Sequence, residues 1–150
     1  MSELNKGTRV SLDSGGFVKI KEELGRGGQG IVYLVDLNGK DMALKWYINP
    51  PDEIFYKNLR NNIQNGSPSE AFLWPKFLTK REKGSYGYVM NLRPTGYFEF
   101  GQFLLARQRF SNYKSMLACA IKICDGFKKL HDNGYSYPLA ELIFSSRQRI

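Results

Sequence analysis

The chain has 150 residues, with 22 Lys and Arg against 14 Asp and Glu, one His and two Cys, for a formal net charge of +8. That length suits one domain, which buries roughly two thirds of the surface its unfolded form exposes. No apolar run reaches the length of a membrane span, Met1-Ser2-Glu3-Leu4-Asn5-Lys6 holds no signal-peptide core, and the few thiols and imidazoles make no zinc pattern, so a cytoplasmic setting is expected.

In residues 1–16, Val10-Ser11-Leu12 is the one short apolar segment before the breakers Ser14-Gly15-Gly16, and it reads as a leading strand or an extended tail. Phe17-Val18-Lys19-Ile20-Lys21 alternates apolar and charged residues with the period of a half-buried strand. Next comes Gly25-Arg26-Gly27-Gly28-Gln29-Gly30-Ile31-Val32, with glycines at G-x-G-x-x-G spacing. Glycine has no Cβ and tolerates positive φ, so N–H groups of such a ribbon can approach a phosphate closely. The same spacing marks dinucleotide folds, where the glycines lie between a strand and a helix. Here β-branched and aromatic Ile31-Val32-Tyr33-Leu34-Val35 follows, and Asn38-Gly39 supplies a tight hairpin. The ribbon is therefore predicted to join strand to strand as a flap over phosphates, the plain alternative being a hairpin whose glycines serve turns only. On the return strand Met42-Ala43-Leu44-Lys45-Trp46-Tyr47, the Lys45 ammonium is well placed to meet phosphate oxygens.

These residues resemble the small lobe of a protein kinase. Gly25, Gly27, Gly30 and Val32 match the G-x-G-x-x-G-x-V loop, and Ala43 and Lys45 match the A-x-K strand motif. The resemblance implies ATP as ligand, Mg2+ in the full-length family, and phosphorylation of protein Ser or Thr.

Asn49-Pro50-Pro51-Asp52-Glu53 reads as a helix start with Asn49 as cap and the prolines in the first turn. Phe55, Leu59 and Ile63 form one stripe and Gly66 is the stop. By resemblance this helix carries a glutamate that pairs with the strand lysine. Its middle offers none; Glu53 in the first turn is the candidate partner, or simply an acid favoured by the helix dipole, and Glu70 lies beyond the end. The block Gly66–Pro75 resembles a bacterial group of eukaryotic-like protein kinases, and from the residues alone it is a turn leading to a core plug of Phe72 and Trp74. Two strands are expected near Lys76–Arg81 and Tyr86–Met90, joined through Gly84-Ser85. Lys76, Lys80, Arg81 and Lys83 make the one loose basic cluster, which a solvated surface explains better than a nucleic-acid site. By resemblance Asn91-Leu92-Arg93-Pro94 is the hinge and Met90 its gatekeeper. The Asn91 carbonyl and the Arg93 N–H would meet an adenine edge, because Pro94 has no N–H to give.

A short helix is predicted over 99–107 and a longer one over 112–130, with Met116, Ala120, Ile123, Cys124, Phe127 and Leu130 facing the core and His131 and Gly134 ending it. Cys119 and Cys124 point apart on that helix, cannot pair, and read as two core thiols. By resemblance Gly134-Tyr135-Ser136-Tyr137 approaches the catalytic loop, whose aspartate positions the substrate hydroxyl and whose asparagine binds magnesium. The chain continues Pro138-Leu139-Ala140-Glu141-Leu142-Ile143-Phe144, setting Leu139 where the aspartate belongs and Phe144 where the asparagine belongs. Neither ligates a metal, Glu141 does not replace them, and no D-F-G type ligand follows. Residues 138–150 read as a replaced or frameshifted tail on a truncated kinase, or, from Leu139, Leu142 and Ile143 at helical spacing, as a short covering helix.

The expected fold class is α+β: an N-terminal extension (1–16), a kinase-like small lobe of antiparallel sheet plus one helix with its hinge (17–93), an incomplete helical large lobe (94–137) and a divergent tail (138–150). Weak ATP binding through Gly25, Gly27, Gly30, Val32, Ala43, Lys45, Met90, Asn91 and Arg93 is expected, with no catalytic residue, no metal ligand and no phosphoryl transfer by this chain alone. The alternatives are a pseudokinase-like interaction module, a basic nucleic-acid binder and a small-molecule phosphotransferase. No membrane partner is expected, and the protein partner or substrate is left open.

Overall fold

The structure is a computed structural model that describes residues 3–50, 52–82, 84–98, 102–103, 105–135, 141–142 and 144–145. The chain divides into two compact units, Met1–Gly66 with Trp74–Leu92, and Ser67–Leu73 with Arg93–Ile150. In chain order the elements are β1 (Arg9–Ser11), β2 (Phe17–Arg26), β3 (Gly30–Leu37), β4 (Lys40–Tyr47), α1 (Glu53–Asn65), β5 (Phe72–Leu73), β6 (Phe77–Leu78), β7 (Gly87–Met90), β8 (Tyr97–Phe98), α2 (Tyr113–Asp132), β9 (Glu141–Leu142) and β10 (Phe144–Ser145). No described helix is long and apolar enough to cross a membrane.

The first unit is a six-stranded antiparallel sheet in the order β1-β2-β3-β4-β7-β6. The leading strand expected at Val10-Ser11-Leu12 is β1, paired with β2. At the β3–β4 hairpin Asn38 (φ 53°) and Gly39 (φ 83°) both take left-handed conformations, the pair a two-residue turn of matching twist requires. The sheet curls until its edges meet: Leu12 bridges to Thr79, Asp13 N donates to Leu78 O (2.8 Å), and Lys80 N donates to Ser11 O (2.9 Å). Curling satisfies edge groups that would otherwise invite another strand. Strand alternation then sends Val10, Val18, Ile20, Ile31, Tyr33, Val35, Met42, Leu44, Trp46 and Val89 into one apolar core.

Helix α1 starts later than the sequence suggests. Its cap is Asp52, whose carboxylate accepts from Phe55 N at 2.9 Å, and not Asn49. An aspartate three residues before a free N–H has the reach to cap it, and so Pro50 lies ahead of the helix. Gly66 (φ 77°) ends α1 as expected. The helix buries Tyr56 and Leu59, each contributing about 1.5–3 kcal/mol of apolar transfer. Tyr56 meets Tyr86 edge to face at 4.8 Å, and its hydroxyl donates to Thr79 O at 3.2 Å. The plug forms too: Trp74 is buried and its Nε1 donates to Asn62 O at 2.8 Å.

In the second unit β5 pairs with β9 and β8 pairs with β10. The covering helix anticipated near Leu142 is not formed, because Glu141–Leu142 and Phe144–Ser145 each find a strand to pair with; Leu139 and Ile143 lie outside the described residues. Of the helix expected over 99–107, Gln102 and Phe103 are helical, while Tyr97–Phe98 is strand and Ala106 takes φ 54° at a turn; residues 99–101 and 104 lie outside the described set. Helix α2 begins with a capping box of Asn112 and Ser115. Its buried face is Ser115, Cys119, Gly126 and Leu130. Met116, Ala120 and Cys124, expected inside, are exposed, and Ile123 and Phe127 are half-buried. From Met116 to Cys124 the helix is apolar on nearly every side, so periodicity does not select the inner face.

Candidate functional site

The glycine ribbon is a tight turn between two strands. Gly27 N donates to Gly30 O (2.9 Å) and Gly30 N to Gly27 O (3.3 Å), directly beyond the Arg26–Ile31 pair. Gly30 then enters β3, a strand and not a helix, which separates the motif from a dinucleotide crossover. Gly25, Gly27, Gly28 and Gly30 all avoid positive φ, so the conformational freedom expected of them is not what the ribbon uses. Their roles divide on space. A Cβ at Gly30 would run into the Trp46 carbonyl, whereas a Cβ at Gly25, Gly27 or Gly28 would meet nothing within 4 Å. Packing explains Gly30 alone.

Register sets the other candidates beside the ribbon. Gly25 pairs with Val32, Val32 with Lys45, and Lys45 with Tyr88; one step along, Leu34 pairs with Ala43 and Ala43 with Met90. Directly paired residues share a face, and residues two apart do as well, so Gly25, Val32, Ala43, Lys45 and Met90 all lie on the face opposite the apolar core. Two strand spacings, about 10 Å, separate the Gly25 and Lys45 backbones. Ala43 and Met90 are buried, Val32 and Lys45 half-buried. The Lys45 ammonium lies 5.9 Å from the centre of the Tyr47 ring, within range of the ring's quadrupole. Asn91 follows β7 without regular structure, and Arg93 opens the second unit.

Glu53, the candidate partner of Lys45, accepts from Arg81, with Oε2 at 2.7 Å from Nη1. Arg81 also lies 4.2 Å above the Tyr56 ring, which fixes it beside α1. Among the described residues no three His, Cys, Asp or Glu side chains gather as a metal site. Sequence reasoning missed an ion cluster at the root of the ribbon. Arg26 meets Glu3 (2.5 Å) and Glu23 (3.0 Å), and Leu4 N donates to the Tyr33 hydroxyl (3.1 Å), so the N-terminal segment is strapped to β2 and β3. The Arg26 hydrogen bond and charge hold the Glu3 carboxyl below its ordinary range, and both carboxylates raise Arg26. Glu23 could have been read from its nearness to Arg26, but Glu3 comes from too far along the chain.

No model of a known protein family matches the sequence, and no curated protein matches it. Solved structures do match. Vaccinia related kinase 3 aligns with a TM-score of 0.66 at 19% identity, over 89% of this chain and 44% of that one. The PknI kinase domain of Mycobacterium tuberculosis aligns with a TM-score of 0.65 at 18% identity, over 88% of this chain and 52% of that one. The fold is protein-kinase-like. Within it the curled sheet and α1 match the small lobe, and the helical part is partial. The chain spans about half the length of these kinase structures.

Proposed function

We propose that this chain is the nucleotide-binding portion of a protein kinase domain and holds ATP weakly. The polyphosphate lies under the ribbon Gly25–Gly30 and reaches the Lys45 ammonium. Val32, Ala43 and Met90 flank the adenine, whose edge meets the Asn91 carbonyl and the Arg93 N–H. The observation that carries this reading is the row Gly25–Val32–Lys45 on the non-core face, in which Gly25, and Gly27 beyond it, lack side chains for no packing reason. A stretch of backbone left bare of side chains, with a cation two strands away on the same face, gives a polyphosphate room for close approach and a charge to meet.

Magnesium is a different matter. Leu139 and Phe144 occupy the positions that the resemblance gives to an aspartate and an asparagine, and neither side chain type has a donor atom for a cation. They supply nothing to a phosphoryl-transfer step, and this chain alone is inactive toward protein Ser or Thr. Affinity for ATP is correspondingly low, weaker than about 100 μM, or about −5.5 kcal/mol.

Isothermal calorimetry with ATP on the wild type and on Lys45→Ala tests the site. The expected result is weak binding that Lys45→Ala reduces by about tenfold. Equal signals from both proteins would remove Lys45 from the site.

A further inference from the structure

The second unit carries a concavity that the nucleotide reading does not use. It has a volume of about 490 Å³ and lies between the turn at Ala106 and the first turn of α2. Phe103 and Phe110 stack in its wall, with ring centroids 4.6 Å apart and planes 18° from parallel. Tyr113 and Met116 complete the apolar lining, and both are well exposed, at 70% and 42%. Arg109 is an exposed cation at the same rim. The volume and apolar lining are those of a cavity that takes one or two bulky side chains. Aromatics, Met and Arg are also the residue types that protein interfaces enrich.

The charged residues of the stretch that forms it have one sign. From Gln102 to Cys124 the sequence contains Arg107, Arg109, Lys114 and Lys122 and no acid. The first turn of α2 carries no acidic residue either, so nothing there offsets the positive end of the helix dipole. An apolar cavity with Arg109 in its lining and Lys114 on the adjoining helix turn is complementary to an apolar anchor with acidic flanks.

We propose that this cavity docks an acidic peptide segment of a partner protein, which seats a Leu or Phe anchor against Phe110 and Met116 and sets carboxylates beside Arg109 and Lys114.

The test is fluorescence anisotropy with the full chain and three labelled peptides: acidic flanks around a Leu-Phe pair, the same flanks around Ser-Ser, and lysine flanks around Leu-Phe. The first should bind, and the other two should bind at least about tenfold more weakly. Arg109→Glu and Met116→Ser should each weaken the first peptide by roughly five- to tenfold. Lys57→Glu, an equal charge reversal on exposed α1 surface, should leave it within about twofold. Circular dichroism checks folding, and Tyr113→Ser reads the same cavity should Met116→Ser unfold. Equal binding of the Ser-Ser or lysine peptide, an equal loss in Lys57→Glu, or no binding would overturn the proposal. Tighter binding of phosphatidylserine vesicles or of single-stranded RNA than of the acidic peptide would overturn it as well.

Discussion

Replacing Gly30 and Gly27 in turn by alanine separates a glycine needed by the fold from one reserved for a ligand. At Gly30 the added methyl group would run into the backbone carbonyl of Trp46, an atom of β4 that cannot rotate away. Relief requires β3 and β4 to move apart where Gly30 pairs with Tyr47, one step from the Val32–Lys45 pair. Overpacking of that kind costs about 3 kcal/mol. For a unit of this size the melting temperature should fall by roughly 10–20 °C. At Gly27 nothing lies within 4 Å of the added methyl and φ is not positive, so Gly27→Ala should be neutral or up to about 1 kcal/mol more stable, because alanine restricts the unfolded chain. The same methyl group would crowd a polyphosphate, and ATP should bind about tenfold more weakly. Differential scanning calorimetry and ATP titration of the two variants give both numbers. If Gly27→Ala melts as low as Gly30→Ala, the division of roles is wrong.

Two further outcomes follow from titrating and reactive groups. The Glu3 carboxyl is depressed below 4.5 by Arg26, so its stabilising contact is present above the unfolded value and is lost as pH falls through the lower folded value. Carbon NMR should place the Glu3 midpoint below 4.5 in the wild type and return it to the ordinary range in Arg26→Gln; an unmoved midpoint would show that the ion pair does not form in solution. Burial pushes the Cys119 thiol up while Cys124 is exposed, so a thiol reagent should modify Cys124 quickly and Cys119 only on unfolding. Two fast thiols would contradict the buried face assigned to α2.

What the sequence made legible was local. Asn38-Gly39 forces one hairpin, strand alternation from Phe17 and from Ile31 chooses the inner face, and a glycine ribbon between two such strands can only be a turn. The Lys45 position follows from the same hairpin, because its register fixes Val32 opposite Lys45. The cap of α1 was missed by three residues because Asn49 and Asp52 are both competent caps and only the backbone's path past Pro50 decides between them. The α2 face was missed because Met116, Leu117 and Ile121 are as apolar as Cys119, and packing partners, absent from any local window, select among them. Closure of the sheet through Leu12 and Thr79 joins residues far apart in sequence, and β8 with β10 are two-residue strands that exist only because each meets the other. The open space beside Gly25 and Gly27 could be seen only in three dimensions.

The most direct measurement is an NMR titration that follows the amide signals of Gly25, Gly27 and Gly30 as ATP and, separately, adenosine are added. ATP is expected to move all three together with the signals of Val32 and Lys45, and adenosine to leave the ribbon amides in place. Ribbon signals that ATP does not shift, or that adenosine shifts equally, would contradict a polyphosphate held beneath the glycines.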